Sequence, residues 1–464
     1  MASQLARRIE ADIIARGWPV GASLGSEPSL IAEHGVSRSV LREAIRLLEH
    51  RHVASMRKGQ GGGLVVGAPP RDAIAETVGS YFTLINTPVA DLLSAWSVLQ
   101  LLAIDLAATR LDARTALQIR AAALQPPGHS LSTPLGAAIA EVSGNPALTT
   151  FLTSLDIAVG SIAEVASTVR DRPARQRDLA EAVIAGRLVD AAMLVERDSA
   201  EFAAQVRVAE LTGSIADWRD ETAVSKQKLT HRFARHLALD IHRRHLGPND
   251  PLGSERECLD RYEVSRPVFR AALRVLEQTG LVEARRGSSG GLYVASPDAE
   301  RQAAPVVALL DFIGIDTVDL FTTRRSIDVA SVDLATRRLS PAGIAELGQS
   351  CLDERSQHLA DVHRVSPNLH RLIARLSGNA ALHLFAIVLS RAQTERIGGQ
   401  KRTPEEQANT GARILHTHTD IVDAMVAGDV SLARLLMARD VGAATRYMSP
   451  SPVTVDQRVP PHFH

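Results

Sequence analysis

The sequence repeats itself at a fixed spacing, with residue 25 equivalent to residue 253 and residue 66 equivalent to residue 294. Residues 25–66 read GSEPSLIAEHGVSRSVLREAIRLLEHRHVASMRKGQGGGLVV, and residues 253–294 read GSERECLDRYEVSRPVFRAALRVLEQTGLVEARRGSSGGLYV. The two stretches align without a gap and share Gly-Ser-Glu, Val-Ser-Arg, an Arg-x-Ala-x-Arg-x-Leu-Glu core and Gly-Gly-Leu-x-Val. A repeat this long usually marks a duplicated domain, so the fold must accommodate the same unit twice.

Length and composition place this repeat in a soluble, mainly helical chain. A chain of 464 residues is expected to form two to four domains. Aromatic residues make up only 3%, and the abundance of Ala, Leu and Arg favours helices over sheets. We find no apolar run of about 18 residues and no signal peptide, which predicts a cytoplasmic protein without a membrane partner.

Each unit begins with the pattern of three helices. Leu5, Ile9 and Ile13 form one apolar stripe of a first helix. Ser26 and Ser37 are natural N-caps for a short and a longer helix, which are joined by a tight turn. Two helices connected in this way form a helix-turn-helix.

A small β-hairpin is predicted after the helices. Residues 53–56 and 64–66 flank a glycine-rich turn, which indicates a two-stranded wing. The second copy repeats every element, with a helix at about 228–244, N-caps at Ser254 and Ser265, and a wing over 281–294. The turn lacks the Gly-Lys-Ser/Thr of a phosphate-binding loop and does not open a helix.

The charged residues of the unit suit DNA. A recognition helix enters the major groove with its N-terminal residues against base edges and phosphates. Arg38 and Arg42 lie four residues apart on one helix face, and Arg266 and Arg270 are their counterparts. Guanidinium groups at this spacing can reach guanine or phosphate in one groove.

The helix starts and the wing tips add further candidate contacts. The hydroxyls of Ser37 and Ser265 stand where a helix start can bind phosphate. The wing-tip candidates are Lys58, Gly59, Arg286 and Gly287. The first head, residues 1–70, carries nine basic against six acidic residues, and the second, residues 226–297, thirteen against eight. Each head is therefore basic within a chain of zero net charge.

These motifs resemble the GntR family of bacterial transcription regulators, and within it the FadR-like branch. The resemblance implies DNA contacts from the arginine after Ser-Glu, the recognition-helix arginines and the wing tip. The second copy has that first arginine as Arg256, whereas the first copy has Pro28 there. The second copy departs from the pattern at Ala271, where the first has Glu43. The two heads are therefore expected to read different half-sites.

Each head is followed by a long helical sequence that also repeats. Leu101–Leu111 and Val329–Leu339 read LLAIDLAATRL and VASVDLATRRL. These stretches resemble the FCD effector domain of FadR-like regulators, an antiparallel all-α bundle. We thus predict a mainly α protein with this order: winged helix-turn-helix 1–70, FCD-like bundle 71–211, linker 212–225, winged helix-turn-helix 226–297, FCD-like bundle 298–448 and disordered tail 449–464.

The second bundle carries candidate metal ligands. In many FCD domains an aspartate and three histidines bind a divalent metal, and the resemblance places His370, His418 and Asp440 at three of those positions. Ser366 stands where the family has the aspartate. Two histidines and a carboxylate can bind zinc or a similar ion, and a metal-free polar pocket is the alternative. His416 and His358 are alternative ligands. The resemblance also places Arg324 in the cavity, where it could bind an effector carboxylate.

The first bundle lacks this set of residues. Gly136 aligns with His370, Gln176 with His418 and Trp96 with Arg324, and only Asp198 remains of the candidate set. A metal site cannot be built from those side chains. We therefore expect a structural first bundle and a sensing second bundle.

Together these observations predict a ligand-responsive transcription regulator, with repression as the expected default. Its partners would be a double-stranded inverted-repeat operator and a small-molecule effector such as an organic acid. The two copies within one chain would form a pseudo-dimer. The protein itself would be a monomer or a homodimer of such chains. It is not expected to be an enzyme. Two alternative functions are a DNA-binding scaffold that does not sense an effector and a metal-dependent enzyme whose active site lies in the second bundle.

Overall fold

The computed structural model describes most of both halves of the chain. The described residues are 1–57, 59, 62–125, 133–163, 172–211, 226–285, 291–356, 367–397 and 403–448. The predicted linker 212–225 and tail 449–464 lie outside them. So do three predicted wing residues, Lys58, Arg286 and Gly287.

The first head consists of three helices and a small antiparallel sheet. The elements are α1 (Ala2–Ala15), β1 (Ser23–Gly25), α2 (Glu27–His34), α3 (Arg38–His50), β2 (Ala54–Arg57) and β3 (Gly63–Val66). The sheet has three strands in the order β1-β3-β2, with Ala54 opposite Val66. Only two of these strands were predicted from the sequence. Strand β1 is too short to show the alternation of a strand.

A helical bundle follows, and its described residues form seven helices. Its members are α4 (Arg71–Leu84), α5 (Val89–Thr109), α6 (Ala113–Ala123), α7 (Pro134–Val142), α8 (Pro146–Ala163), α9 (Arg172–Ile184) and α10 (Leu188–Leu211). Pro134 and Pro146 stand at helix starts, where the missing N–H of proline costs nothing.

The second half repeats this order. Its head contains α11 (Lys226–Arg243), β4 (Pro251–Gly253), α12 (Glu255–Tyr262), α13 (Arg266–Gln278), β5 (Val282–Arg285) and β6 (Gly291–Val294), with strand order β4-β6-β5. Its bundle contains α14 (Ala299–Ile313), α15 (Thr317–Arg338), α16 (Pro341–Ser356), α17 (Pro367–Leu376), α18 (Ala380–Ile397), α19 (Pro404–Val426) and α20 (Val430–Met448).

Helix α5 is the one described helix with the length and composition of a membrane span. Its mean hydropathy is 1.6, whereas no such run was expected from the sequence. Half of this apolar window is buried inside the protein. Leu92, Leu99 and Ile104 belong to the largest hydrophobic core. These contacts are those of the central helix of a bundle.

Each head packs against the first helix of the other half's bundle. The core of the first head includes Ala308 of α14, and Trp18 meets Phe312 of that helix edge to face at 5.4 Å between ring centroids. The core of the second head includes Leu84 of α4, and α11 packs against α4. The two halves are therefore crossed, in the sense that the head of each half packs on the bundle of the other half.

The two bundles also share one core, and their contacts are reciprocal. The Asn145 amide donates to the Asp319 carbonyl at 3.0 Å, and the Asn379 amide donates to the Asp91 carbonyl at 2.8 Å. Asp91 and Asp319 are equivalent positions of the repeat. Such an exchange of equivalent contacts is the pattern of a two-fold interface.

Replacing Phe385 with alanine should destabilise this shared core. Phe385 is 1% exposed and stacks on Phe151 with the ring centroids 4.1 Å apart. Deleting a buried phenyl ring removes its contacts and leaves a cavity, so we expect Phe385→Ala to lower the free energy of unfolding by about 3–5 kcal/mol. Urea denaturation measures this. The control, Leu352→Ala on the surface of α16, should change it by less than about 0.5 kcal/mol. A loss below about 1 kcal/mol for Phe385→Ala, well under the usual cost of such a cavity, would contradict the packing of the two bundles.

Candidate DNA interface and effector site

The recognition helices α3 and α13 present their arginines to solvent in the same arrangement. The side chains of Arg38, Arg42, Arg266 and Arg270 are 58–67% exposed. In the first head both arginine Nε atoms lie near one oxygen of Glu27, Arg38 at 3.1 Å and Arg42 at 2.9 Å. In the second head the distances to Glu255 are 3.3 Å for Arg266 and 3.0 Å for Arg270. Both arginine pairs are therefore open to a ligand from solvent.

Glu27 and Glu255 are positioning residues that were not predicted from the sequence. Each lies at the start of the helix before the recognition helix, and its carboxylate holds two guanidinium groups together. The hydrogen bond from Arg42 is the main cause that lowers the pKa of Glu27. The signal was present in the sequence, because Ser-Glu stands at the same place in both copies.

The two recognition helices begin differently. Ser37 caps α3, and its hydroxyl accepts a hydrogen bond from the Val40 N–H at 3.3 Å. Ser265 has the extended backbone of an N-cap, but its side chain makes no capping hydrogen bond, contrary to the prediction. Pro267 at the second helical position has no N–H to offer. The Ser265 hydroxyl is therefore not engaged in capping its helix.

Of the four predicted wing-tip residues, the structure describes only Gly59. Gly59 has φ of 107°, a conformation that side-chain-bearing residues rarely adopt. Arg285 lies over the Tyr293 ring at 4.3 Å and donates to Asn249 at 2.5 Å, so its guanidinium is held against its own head. Arg256 is 91% exposed on α12, with its Nε 3.9 Å from Asp260.

Three helices of the second bundle, α17, α19 and α20, bring the predicted metal ligands together. Nε2 of His370 lies 3.2 Å from Oδ2 of Asp440, and Nε2 of His418 lies 3.9 Å from the same oxygen. One ligand atom from each of the three residues falls within 4.8 Å of the others. Both histidines are buried, with ring centroids 5.3 Å apart.

A second set of carboxylates orients the two imidazoles. Nδ1 of His370 is 2.8 Å from Oδ2 of Asp328, and Nδ1 of His418 is 2.7 Å from Oε2 of Glu354. Metal-ligating histidines typically use one ring nitrogen for such a carboxylate and the other for the metal. Neither Asp328 nor Glu354 was predicted from the sequence.

The electrostatics of the cluster favour a bound positive charge. Burial opposes the imidazolium of His370, but the charge and hydrogen bond of Asp328 and the hydrogen bond of Asp440 together raise the pKa of His370 to about 9. Burial likewise opposes the Asp440 carboxylate, yet the His370 hydrogen bond and the charges of His418 and His370 lower the pKa of Asp440 to about 2. Asp440 is therefore ionised at neutral pH.

The donor set fits a divalent metal. Nε2 of His418 is buried and has no hydrogen-bond partner among the described residues. Two imidazole nitrogens and a carboxylate oxygen are ligands that zinc accepts. His416, an alternative ligand in the sequence, is 80% exposed and pairs with Asp420. His358, the other alternative, lies outside the described residues.

Arg324, which the resemblance assigns to effector binding, borders this cluster. It is buried, and its Nε donates to Oδ2 of Asp328 at 3.0 Å, the same oxygen that contacts His370. The guanidinium thus lies one side chain away from the candidate metal ligands. Within the described part of the first bundle, no comparable group of His, Cys, Asp and Glu side chains forms.

Comparison with known proteins matches both parts of this architecture. The family model described as "Bacterial regulatory proteins, gntR family" matches residues 1–63 and 229–292, and the model "FCD domain" matches residues 319–443. The FCD match covers the bundle that contains the histidine cluster.

Individual relatives are transcription regulators of about half this chain's length. The HTH-type transcriptional regulator LutR of Bacillus subtilis is 26% identical over 196 residues, 41% of this chain and 88% of that protein. The HTH-type transcriptional repressor NanR of Edwardsiella tarda is 30% identical over 172 residues, 35% of this chain and 64% of that protein. The solved structure of a Streptococcus agalactiae GntR aligns at 20% identity and a TM-score of 0.39, covering 47% of this chain and 99% of that one. This chain belongs to the GntR family of bacterial transcription regulators, with DNA-binding winged helix-turn-helix segments and an effector-binding FCD domain.

Proposed function

We propose that this protein is a cytoplasmic, ligand-responsive repressor that carries both DNA-reading heads of a FadR-like dimer on one polypeptide. The single observation that carries the proposal is the pair of exposed recognition helices with matching Arg–Arg–Glu arrangements. The crossed heads and the reciprocal Asn145 and Asn379 contacts support an internal two-fold arrangement. One chain would then occupy an inverted-repeat operator alone.

Joining two heads raises affinity without adding new contacts. Once one head is bound, the second meets its half-site at a high effective concentration, which can raise affinity about 10²–10⁴-fold. Lysine and arginine contacts with phosphates would provide much of the binding, so the affinity should fall steeply with salt. Because the heads differ at Pro28 and Arg256, the two half-sites of the operator should differ as well.

The second bundle is the proposed sensor. His370, His418 and Asp440 would hold a divalent cation such as zinc, and Asp328 and Glu354 would orient the imidazoles. The cation would supply positive charge for the carboxylate of an organic acid. Arg324 lies beside the cluster and would add a hydrogen-bonding cation for the same ligand. Ligand binding would change operator affinity only through a different affinity for the two arrangements of the heads.

Selection of bound fragments from random DNA with the purified full-length protein tests the two-headed arrangement. We expect an inverted repeat with unequal arms, bound by one chain as judged by the mass of the complex. Enrichment of a single half-site would contradict it. Operator release on addition of organic acids with zinc would support sensing, and an unchanged affinity throughout would favour the constitutive scaffold.

Single substitutions in the recognition helices should weaken specific binding. Arg38→Ala and Arg266→Ala each remove one exposed guanidinium that can reach base edges, so we expect a loss of about 1–3 kcal/mol each in operator binding. Gel shifts at fixed salt measure this. The matched control is Arg197→Ala, an exposed arginine of α10 that pairs with Glu201. Wild-type affinity in both head variants would exclude the assigned role.

A further inference from the structure

The first bundle contains a group of buried polar atoms without partners. Gln100 on α5 is 1% exposed and Gln176 on α9 is 2% exposed. Among the described residues, neither the amide nitrogen nor the amide oxygen of either side chain has a hydrogen-bond partner. Trp96 precedes Gln100 by one turn of α5. Its Nε1 atom is also buried and has no hydrogen-bond partner among the described residues.

Such a group requires an explanation. Buried side-chain amides nearly always form hydrogen bonds, because a desolvated donor or acceptor without one is costly. Two glutamines with both ends unpaired, next to an unpaired indole, amount to five such atoms within the described part of one bundle. A cluster of this kind is expected where water or a small molecule completes the hydrogen bonding.

The packing of the helices brings these side chains towards one another. The hydroxyl groups of Ser97 and Ser199 are 2.9 Å apart, which ties α5 to α10. Arg175, next to Gln176, lies 3.2 Å from Asp198 and so ties α9 to the same turn of α10. The helices that carry Gln100 and Gln176 therefore both pack against the same turn of α10.

The repeat places the same positions around the histidine cluster of the second bundle. Trp96 and Gln100 are equivalent to Arg324 and Asp328, and Gln176 aligns with His418. In the second bundle those positions surround the histidine cluster at Asp440. The first bundle has exchanged an aspartate, an arginine and a histidine for neutral side chains. Its one retained carboxylate, Asp198, already faces the guanidinium of Arg175.

We infer that the first bundle contains a second ligand pocket, which binds a neutral molecule with hydroxyl or carboxamide groups. Each glutamine side chain offers both a donor and an acceptor, which matches a carboxamide or a polyol. Among the positions described above, only Arg175 and Asp198 are charged. Arg175 contacts the carboxylates of both Asp198 and Glu201, so a ligand carboxylate gains nothing there. The first bundle would not be merely structural, and the chain would respond to two ligands of different chemistry.

Saturation-transfer NMR on the full-length protein tests this pocket with acetamide and glycerol as probes. Both are small molecules that carry the required groups. In the wild type we expect transfer to both probes. In the double variant Gln100→Leu/Gln176→Leu we expect at least a fivefold loss, because leucine keeps the approximate shape and removes the amides. Urea denaturation should show that the variant is at least as stable as the wild type, since it no longer buries unpaired polar atoms.

The matched control is Gln118→Leu, which replaces an exposed glutamine of α6 that donates to Glu141 and should leave the transfer to acetamide unchanged. The result is independent of DNA binding and of metal, so it can fail without the proposed function failing. Absence of transfer in the wild type would overturn the inference, as would transfer that persists in the double variant. If the double variant does not fold, Gln176→Met replaces it, with the same expected loss and the same overturning result.

Discussion

Removing both recognition-helix arginines from one head should lower affinity for the full operator by about 10²–10⁴-fold. In Arg38→Ala/Arg42→Ala the second head still reads its half-site, but the first no longer binds at high effective concentration. The affinity for the full operator should then approach that for an isolated half-site. Fluorescence anisotropy with full and half operators at one salt concentration measures both quantities.

The same experiment distinguishes the two-headed arrangement from a single working head. Arg266→Ala/Arg270→Ala should produce a comparable loss, because the two heads hold their arginines alike. The control removes two exposed arginines of the first bundle, Arg120 and Arg187, and matches the loss of charge outside the heads. If one head's double variant binds the full operator like the wild type, that head does not read DNA.

The heads were largely predictable from the sequence because local signals fix their elements. Ser26 and Ser37 cap the helices where the serines predicted them, and the Gly35 turn has the left-handed backbone that glycine favours. In the second head Glu263 takes the same conformation at φ of 49°, although nothing in its residue type indicates this. Glu263 is exposed and stands at the position equivalent to Gly35, so the second copy keeps the turn without its glycine.

The crossing of the halves could not be predicted. The sequence places Trp18 at the end of a helix, and only the fold shows that it packs on Phe312 in the other half of the chain. Sequence periodicity says which face of a helix is buried but not which partner buries it. The same limit applies to the unpaired glutamines of the first bundle, since an isolated Gln in a helix gives no sign of burial.

The candidate metal site was predicted in part, by resemblance. His370, His418 and Asp440 do come together. The residues that orient the imidazoles were missed for a physical reason: Asp328 and Glu354 lie on different helices, 42 and 64 residues from their histidines. Such supporting carboxylates are recognised by distance rather than by spacing along the chain.

Zinc should stabilise the chelator-treated protein by about 4 kcal/mol when its free concentration is about 1,000 times its dissociation constant. The two buried Nε2 atoms and the Asp440 carboxylate are preoriented in the folded protein and dispersed in the unfolded chain, so the metal binds the folded state preferentially. Calorimetric titration gives the dissociation constant and should give one zinc per chain. Urea denaturation with and without zinc gives the stabilisation.

Two histidines on one helix provide the decisive comparison. His418→Ala should abolish zinc stabilisation, whereas His416→Ala, an exposed neighbour on α19, should retain it. Glu354→Gln keeps the ligand but loses the carboxylate that orients it, so its zinc affinity should fall about 10–100-fold. Operator binding without effector should be unchanged in all three variants. Zinc stabilisation that survives His418→Ala would exclude this cluster as the metal site and leave a metal-free polar pocket as the interpretation of the second bundle.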